Sequence, residues 1–593
     1  MKRVLFAVFG VLFAVTALAQ ETGDRLAGVD EWIGKTLKDW NVPGACVGVV
    51  VKGHLVLAKG YGYRDYGRKL PVTPNTLYQI ASNTKLFTTM AVGMLVDEGK
   101  LDWDLPVRTF VPAIRFFDDR LDATVTIRDM LSHRTGISRH DYIWYKSDFT
   151  RKELFDRLRY LEPSQPLRQG FLYNNMMYAA AGEVVELLSG QVWEEFVRTR
   201  LLRPLGMTHT IFSAREMEKL PDHFVPYTEK RDTTTLYEIP VYEEGAGLGP
   251  AGSMISSIED MSHWLIALMN DGKFEGRQVI PPDVIRASLA PSVALPNYLL
   301  ENRGYKELVD PVYGMGREWA SYRGHYLTFH GGDLPGIHSQ ISCMPYDSIG
   351  VIVFVIGNHA APLYNYISYN IYERLLGLSQ TPWSARGLED RMKGKASGKE
   401  ARAKAGALRV AGTRPSHPLD DYTGQFENPA YGVITVARKD TALSMEFHHI
   451  FLPLAHYHYD RFDSPDDEQY GLFSLNYHTD PQGELDRIVV SLDEGEVAFV
   501  RKPDSSLSAP DVLSRYTGKY MLAGSTVEIL VADGMLNLVS PGTPALHLIP
   551  WKPGKFRVRE FADLLVEFVS DGGAVVAMKQ IDPSGEYRFD RKR

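Results

Sequence analysis

The sequence predicts an α+β domain, an antiparallel sheet with covering helices, followed by two small antiparallel β-barrels. Three observations carry this reading. Strand-like apolar runs stand at both ends of residues 26–380 with helical patterns between them, which suggests one sheet gathering both ends of the segment. The composition changes over 380–417, where acidic, basic and alanine residues mix through Arg386 to Arg409 before Pro415 and Pro418. Beyond that point the chain repeats itself.

The elements follow in chain order. Lys2 and Arg3 precede an apolar run from Val4 to Ala14, then Thr16-Ala17-Leu18-Ala19-Gln20. This is the pattern of a secretory signal over residues 1–19, with small residues at the cleavage site. An uncleaved anchor is the alternative. No later segment has the roughly 20 apolar residues that span a bilayer. The mature chain is therefore expected to be exported, periplasmic or secreted, and without a transmembrane segment.

Within 20–380, Ala45 to Val51 and His54 to Gly60 read as strands joined at Lys52-Gly53. A long helical middle includes 175–189 and 257–270. Ser339 to Met344 and Gly350 to Ile356 read as a second hairpin about Pro345-Tyr346-Asp347-Ser348, and a helix over 363–377 closes the domain. Residues 381–417 read as a charged helix or linker. The repeat fills 418–505 and 510–593. Tyr422-Thr423-Gly424-Gln425-Phe426 returns as Tyr516-Thr517-Gly518-Lys519-Tyr520, 94 residues on. Arg461-Phe462 returns as Lys555-Phe556 at the same offset, and Phe499-Val500-Arg501-Lys502 as Phe589-Asp590-Arg591-Lys592 after 90 residues. Each copy alternates short strands with Gly, Asp and Pro turns, the pattern of a barrel of about eight strands.

Composition excludes some classes. A net charge of −8 gives no electrostatic case for nucleic acid. The only cysteines, Cys46 and Cys343, sit in apolar strand-like runs and read as buried free thiols rather than a disulfide. There is no P-loop, dinucleotide fingerprint or His-Glu-x-x-His. His456-Tyr457-His458-Tyr459-Asp460 has a metal-ligand spacing, but Arg461 follows where metallo-hydrolases usually have another histidine, and the second repeat has no counterpart. A barrel strand with a polar outer face is the preferred reading.

The chemistry-bearing stretch is Ser82-Asn83-Thr84-Lys85, at the start of the apolar helical run Leu86 to Leu95. The spacing puts hydroxyl and amine on one face, one turn apart. The helix N-terminus favours a developing alkoxide, and a low-dielectric groove would depress the lysine pKa so that it accepts a proton. Together these describe an activated serine. Three further segments bear on it. Tyr173-Asn174-Asn175 enters a helix; a tyrosine beside a lysine would be held partly as phenolate and relay protons, and Asn175 would bind a substrate amide. In His330-Gly331-Gly332-Asp333, glycines on a strand edge would let a substrate backbone approach, a backbone N–H there would join that of Ser82 as an oxyanion hole, and His330 would tune the electrostatics. His133, in Leu131-Ser132-His133-Arg134-Thr135-Gly136, reads as satisfying buried backbone near the groove. Taken singly, the tyrosine reads first as an ordinary loop residue beside a helix cap, and His330 is equally a surface histidine at a strand-edge turn.

With those residues in place the chain resembles the serine β-lactamase and penicillin-binding protein superfamily, in its class C and esterase-like branch. The Ser-x-x-Lys, Tyr-x-Asn and His-x-Gly elements occur in the family's order. Pro43-Gly44-Ala45, Pro204-Leu205-Gly206-Met207 and Pro250-Ala251-Gly252 agree with the flanking text, over roughly residues 25–380. The resemblance implies a β-lactamase/transpeptidase-like fold with Ser82 acylated, Lys85 and Tyr173 as its base system, and Asn175 on the substrate. His330 and Gly332 take the places of the lysine and glycine of the family's Lys-Thr-Gly, and the N–H groups of Ser82 and Asp333 form the oxyanion hole. No cofactor or metal is implied. Where this chain has His330, true class C β-lactamases carry a lysine that helps hold a substrate carboxylate, and a mostly neutral histidine holds it less well. This favours an aminopeptidase, amidase or esterase over a β-lactamase. The trailing barrels resemble the lipocalin-like appendages of bacterial D-aminopeptidases.

The expected activity is cleavage of an amide or peptide bond in a small-molecule or peptide substrate. A carboxylesterase or weak β-lactamase is the alternative. A non-catalytic ligand-binding or sensor protein is the alternative of another class. Oligomeric state is left open.

Overall fold

The computed structural model describes residues 22–592 apart from 244, 245, 482, 493, 494 and 504. The signal-like segment 1–19 lies outside the described residues. These fall into two compact units, the first ending at Ala407 and the second starting at Leu408.

In the first unit nine strands of the described residues form one sheet. They are β1 (Gly44–Val51), β2 (His54–Asp65), β3 (Leu70–Pro71), β4 (Val293–Ala294), β5 (Leu308–Tyr313), β6 (Glu318–Tyr322), β7 (His325–Leu334), β8 (Ile337–Met344) and β9 (Ile349–Ile356). Their order is β4-β5-β6-β7-β8-β9-β1-β2-β3, and every ladder is antiparallel. The sheet does gather both ends of the segment: Gly44 pairs with Ile356 and Val51 with Ile349. β1 and β9 are buried along their whole length, which is why they read as continuous apolar runs rather than alternating ones. Val47, Val49, Val353 and Val355 pack one face against α1 (Val29–Asp39) and the late helix. Between the sheet's two halves come α2 (Thr84–Asp97), α3 (Asn175–Ser189) and α4 (Ile258–Met269), and α5 (Leu363–Leu375) follows β9. Both cysteines are buried and free.

The segment read as a charged helix or linker is largely one helix of this unit, α6 (Trp383–Ala405). Trp383 is buried and donates its indole N–H to Tyr322 Oη at 2.8 Å. Arg386 pairs with Glu307 at 2.9 Å, while Arg391 and Lys395 converge on Glu229. Charge that looks like a solvated linker in sequence here meets complementary charge on the domain surface.

In the second unit, two closed barrels run from Gly424–Asn428 to Gly495–Arg501 and from Gly518–Leu522 to Gly585–Arg591, each of eight described strands. The repeated residues are those that build and close a barrel. Phe426, Phe462 and Phe499, and their counterparts Tyr520, Phe556 and Phe589, are buried inside. First and last strands pair at Phe426 with Arg501 and at Tyr520 with Arg591. Each arginine then donates to the carbonyl of the repeated threonine, Arg501 to Thr423 at 2.6 Å and Arg591 to Thr517. The His456–Asp460 stretch is used structurally: His456 donates to the Tyr459 carbonyl at 2.8 Å, and Asp460 accepts from Ser416 and Tyr422. Among the described residues no group of three His, Cys, Asp or Glu side chains is placed to hold a metal ion, and no helix is long and apolar enough to cross a membrane.

Candidate active site

Ser82 lies in the 3₁₀ turn Ala81–Asn83 that leads into α2. That helix is buried on every side from Thr84 to Leu95, so its sequence shows an apolar run rather than a stripe. Ala81 adopts a left-handed conformation, φ 49°, which costs a non-glycine residue about 1–2 kcal/mol. Neighbouring contacts hold it there. Ser339 Oγ donates to the Ile80 carbonyl at 2.7 Å and accepts from Asn83 Nδ2 at 2.8 Å, while Thr88 Oγ1 donates to Pro250 O at 2.6 Å. The serine is presented on a turn tied to β8 and to the 250–254 segment.

One turn on, Lys85 is fully buried. Its Nζ lies 3.0 Å from Ser82 Oγ, 2.7 Å from Asn175 Oδ1 and 2.8 Å from Ala251 O. Tyr173 Oη donates to Ser82 Oγ at 2.7 Å. Tyr173 directly precedes the cap of α3, where Asn174 Oδ1 accepts from Met177 N at 3.2 Å. Beneath it, His133 Nδ1 accepts from Asn174 N at 3.1 Å and the His133 and Tyr173 rings lie tilted against each other, centroids 4.3 Å apart, so His133 fixes the backbone that carries the tyrosine. Burial pushes the His133 pKa well below its ordinary value.

One expectation changes here, and Asn175 gains a role the sequence did not show. Tyr173 is not held as a phenolate: burial pushes its pKa up, outweighing the bond to Ser82, and it is a neutral donor. Asn175 Oδ1 accepts from Lys85 and one Nδ2–H donates to Asp141 Oδ1 at 3.3 Å, so its side chain orients the lysine from a place in the pocket wall.

On β7 the four marked residues separate. His330 is buried; its Nδ1–H donates to Gly331 O at 2.5 Å and its Nε2 accepts from Tyr313 Oη at 3.0 Å. Burial lowers its pKa to about 4, leaving it neutral at pH 7. Gly332 does not face the pocket. A Cβ there would stand 2.3 Å from Ile80 O and 2.5 Å from Ser339 Oγ, so the glycine admits the nucleophile's own turn rather than a substrate backbone. Asp333 lines the pocket with Ser82, and its carboxylate accepts from His338 Nδ1 at 2.6 Å. The tight turn at Pro335-Gly336 makes Leu334 and Ile337 a hydrogen-bonded pair. By the alternation of an antiparallel ladder, Asp333 and Gly331 then keep their N–H and C=O groups for the side away from β8.

Ser82, Lys85, Tyr173 and Asn175 thus form one bonded cluster, with His330 and Asp333 in the wall of the same pocket. A Beta-lactamase family model matches residues 29–375, more than half of the chain. The chain belongs to the Beta-lactamase family. A second family model, a domain of unknown function (DUF3471), matches residues 408–501, which include the first barrel. "Protein flp" of Staphylococcus aureus (strain N315) is 29% identical over 347 residues, 56% of this chain. The match spans 63% of that relative, less than two thirds of its length. "Unguisins hydrolase ungD'" of Aspergillus campestris is 27% identical over 442 residues, 70% of this chain and 79% of that protein. Among solved structures, the octameric penicillin-binding protein homologue from Pyrococcus abyssi is similar in fold. Its TM-score is 0.54 at 21% identity, over 88% of this chain and 99% of that one.

As a member of this family of β-lactamase-fold serine hydrolases, the first unit offers a pocket of about 420 Å³ over Ser82. Part of its wall was not legible in sequence. Arg139 and Trp144 both bond to Asp141, Arg139 Nε at 2.7 Å and Trp144 Nε1 at 2.9 Å, which anchors a loop without regular pattern. Glu318 opens β6, and Tyr364 reaches in from α5. Neither has a local sequence signal, because strand register and helix packing bring them there.

Proposed function

We propose that the protein is an exported serine hydrolase that cleaves amide or peptide bonds through an acyl-enzyme on Ser82. The observation that carries this is the placing of Ser82 Oγ between Tyr173 Oη at 2.7 Å and Lys85 Nζ at 3.0 Å. A neutral lysine amine has two N–H bonds and one lone pair. Asn175 Oδ1 and Ala251 O take the two N–H bonds, which leaves the lone pair for Ser82. Tyr173, kept protonated by burial, cannot take the proton first. Lys85 therefore accepts the Ser82 proton as Oγ bonds to the carbonyl carbon. The N–H groups of Ser82 and Asp333 receive the oxyanion. Tyr173 protonates the leaving group as its bond to carbon breaks, and Lys85 restores the phenol's proton. Water then repeats the sequence on the acyl-enzyme.

A neutral His330, with both ring nitrogens bonded inside the protein, supplies no positive charge for a leaving-group carboxylate. This supports amides and esters over β-lactams. It also supports a second reading, a carboxylesterase, which the ratio of p-nitrophenyl ester to D-alanyl anilide turnover separates from the first. One relative is itself named a hydrolase.

The deciding experiment is the intact mass of the purified protein after a fluorophosphonate probe, beside Ser82→Ala. One adduct, lost in the variant together with turnover, is expected. Full turnover by Ser82→Ala would end the proposal. Export is tested by the N-terminal residue of the fractionated protein, expected to be Gln20.

A further inference from the structure

The pocket holds one carboxylate that the proposed mechanism does not use. Glu318 is the first residue of β6 and pairs in register with Phe329, the last residue of β7 to have a partner on that side. Among the described residues no donor or cation pairs with its carboxylate. By contrast Arg139 is bonded to Asp141 and Asp333 to His338. Burial alone raises the Glu318 pKa, to about 7. A half-buried carboxylate without a counter-charge is disfavoured, and that cost is recovered when a cation arrives.

Its surroundings suit one class of cation. Phe329 stands beside it across the strand pair, and Tyr364 reaches the same wall. Tyr364 does so past Gly331, where a Cβ would stand 2.6 Å from its hydroxyl oxygen. A carboxylate flanked by aromatic faces is a receptor for an ammonium group, primary or methylated. The strand geometry says where on the substrate that group sits. Directly beyond the Glu318–Phe329 pair β7 has no strand partner on that side, and Gly331 and Asp333 turn their backbone N–H groups to it, the Gly331 carbonyl being taken by His330. Every ladder in this sheet is antiparallel. An extended substrate on that edge would continue the line of β6 and point its leaving-group end at Glu318.

We propose that Glu318 is a specificity-determining residue that holds an ammonium group on the substrate hydrolysed at Ser82. This rests on the acyl-enzyme reading above. With a neutral His330 it also sets the leaving-group side against carboxylates, since a carboxylate there would face that of Glu318.

The test compares kcat/KM within two substrate pairs, for the full chain and for Glu318→Gln. One pair carries the charge on the leaving group: acetylthiocholine and its uncharged isostere 3,3-dimethylbutyl thioacetate. The other carries it on the acyl group: alanyl p-nitroanilide and its N-acetyl form. The wild type is expected to favour the cationic member of the leaving-group pair, with that preference falling about ten- to a hundred-fold in Glu318→Gln. A fall confined to the acyl pair would support the ammonium site and reverse the substrate's direction. The thiocholine preference should also rise with pH through about 7 in the wild type and stay flat in the variant. The groups around Glu318, Tyr313 from β5, His330 from β7 and Tyr364 and Tyr369 from α5, stay neutral over that range. Fluorophosphonate labelling checks that the variant is folded. If labelling and turnover of uncharged substrates persist but neither preference changes in Glu318→Gln, this inference is overturned and the hydrolase reading stands. If the wild type takes no label, the hydrolase reading itself fails.

Discussion

Gly332→Ala asks what that glycine is for. The added Cβ would meet Ile80 O at 2.3 Å, Ser339 Oγ at 2.5 Å and Ala81 Cβ at 3.1 Å. Carbon in ordinary contact needs about 3.5 Å, so roughly 1 Å must open between β7 and the turn. Strand β7 is held by β8 over seven register pairs, whereas Ile80 and Ala81 lead straight into Ser82. The turn is the part that yields. A displacement of about 1 Å at a reacting group costs roughly 10²-fold in rate, and overpacking costs about 1–3 kcal/mol of stability. Two rates are measured: turnover of an uncharged p-nitrophenyl ester and covalent labelling by a small fluorophosphonate, with urea unfolding alongside. Both rates should fall together by about 10²-fold. If the glycine instead admits the substrate backbone, KM alone should rise while the labelling rate holds. That result, or rates within about two-fold of wild type, would refute the reasoning.

Three further outcomes are expected. Tyr173→Phe removes the 2.7 Å donor to Ser82 and should lower kcat by about 10²–10⁴, measured on an amide whose leaving group needs a proton. His330, neutral in the folded protein down to about pH 4 against 6.5 for an ordinary histidine, contributes about 3 kcal/mol that is complete above pH 6.5. That contribution is lost as pH falls from 6.5 to 4, and His133 acts in the same direction, so urea midpoints at pH 7, 5.5 and 4 should fall more steeply in wild type than in His330→Gln. Arg501→Ala leaves the carbonyls of Thr423 and Leu485 without their donor and should cost the first barrel about 2–4 kcal/mol, read as faster amide exchange across strands 424–501.

What was legible in sequence followed the range of the interaction behind it. Ser82 and Lys85 are one helical turn apart, so their meeting is a local matter, whereas Tyr173 meets Ser82 from 91 residues away and was legible through its Tyr-x-Asn spacing at a helix cap. The barrels were legible because their buried aromatics and closing arginine recur at fixed offsets. Two readings failed. The Tyr173 phenolate rested on the neighbouring lysine, and burial of the hydroxyl outweighs it. The substrate-facing Gly332 assumed an open strand edge, where the Ile80 carbonyl stands instead. Sequence leaves 381–417 open between helix and linker because the partners of α6, Glu229 and Glu307, lie far away in sequence.

The same contrast bears on how this site divides its work. The groups that move protons are held by contacts within the fold, and their motif spacing reports them. The groups that would choose a substrate hang on register: Glu318 opposite Phe329, Tyr364 through the space at Gly331. Shifting β6 by one residue would turn Glu318 to the other face of the sheet while leaving Ser82, Lys85 and Tyr173 untouched. Chemistry and choice are therefore separable in this fold. A chain can keep the Ser-x-x-Lys and Tyr-x-Asn elements intact and change what it cleaves through one strand.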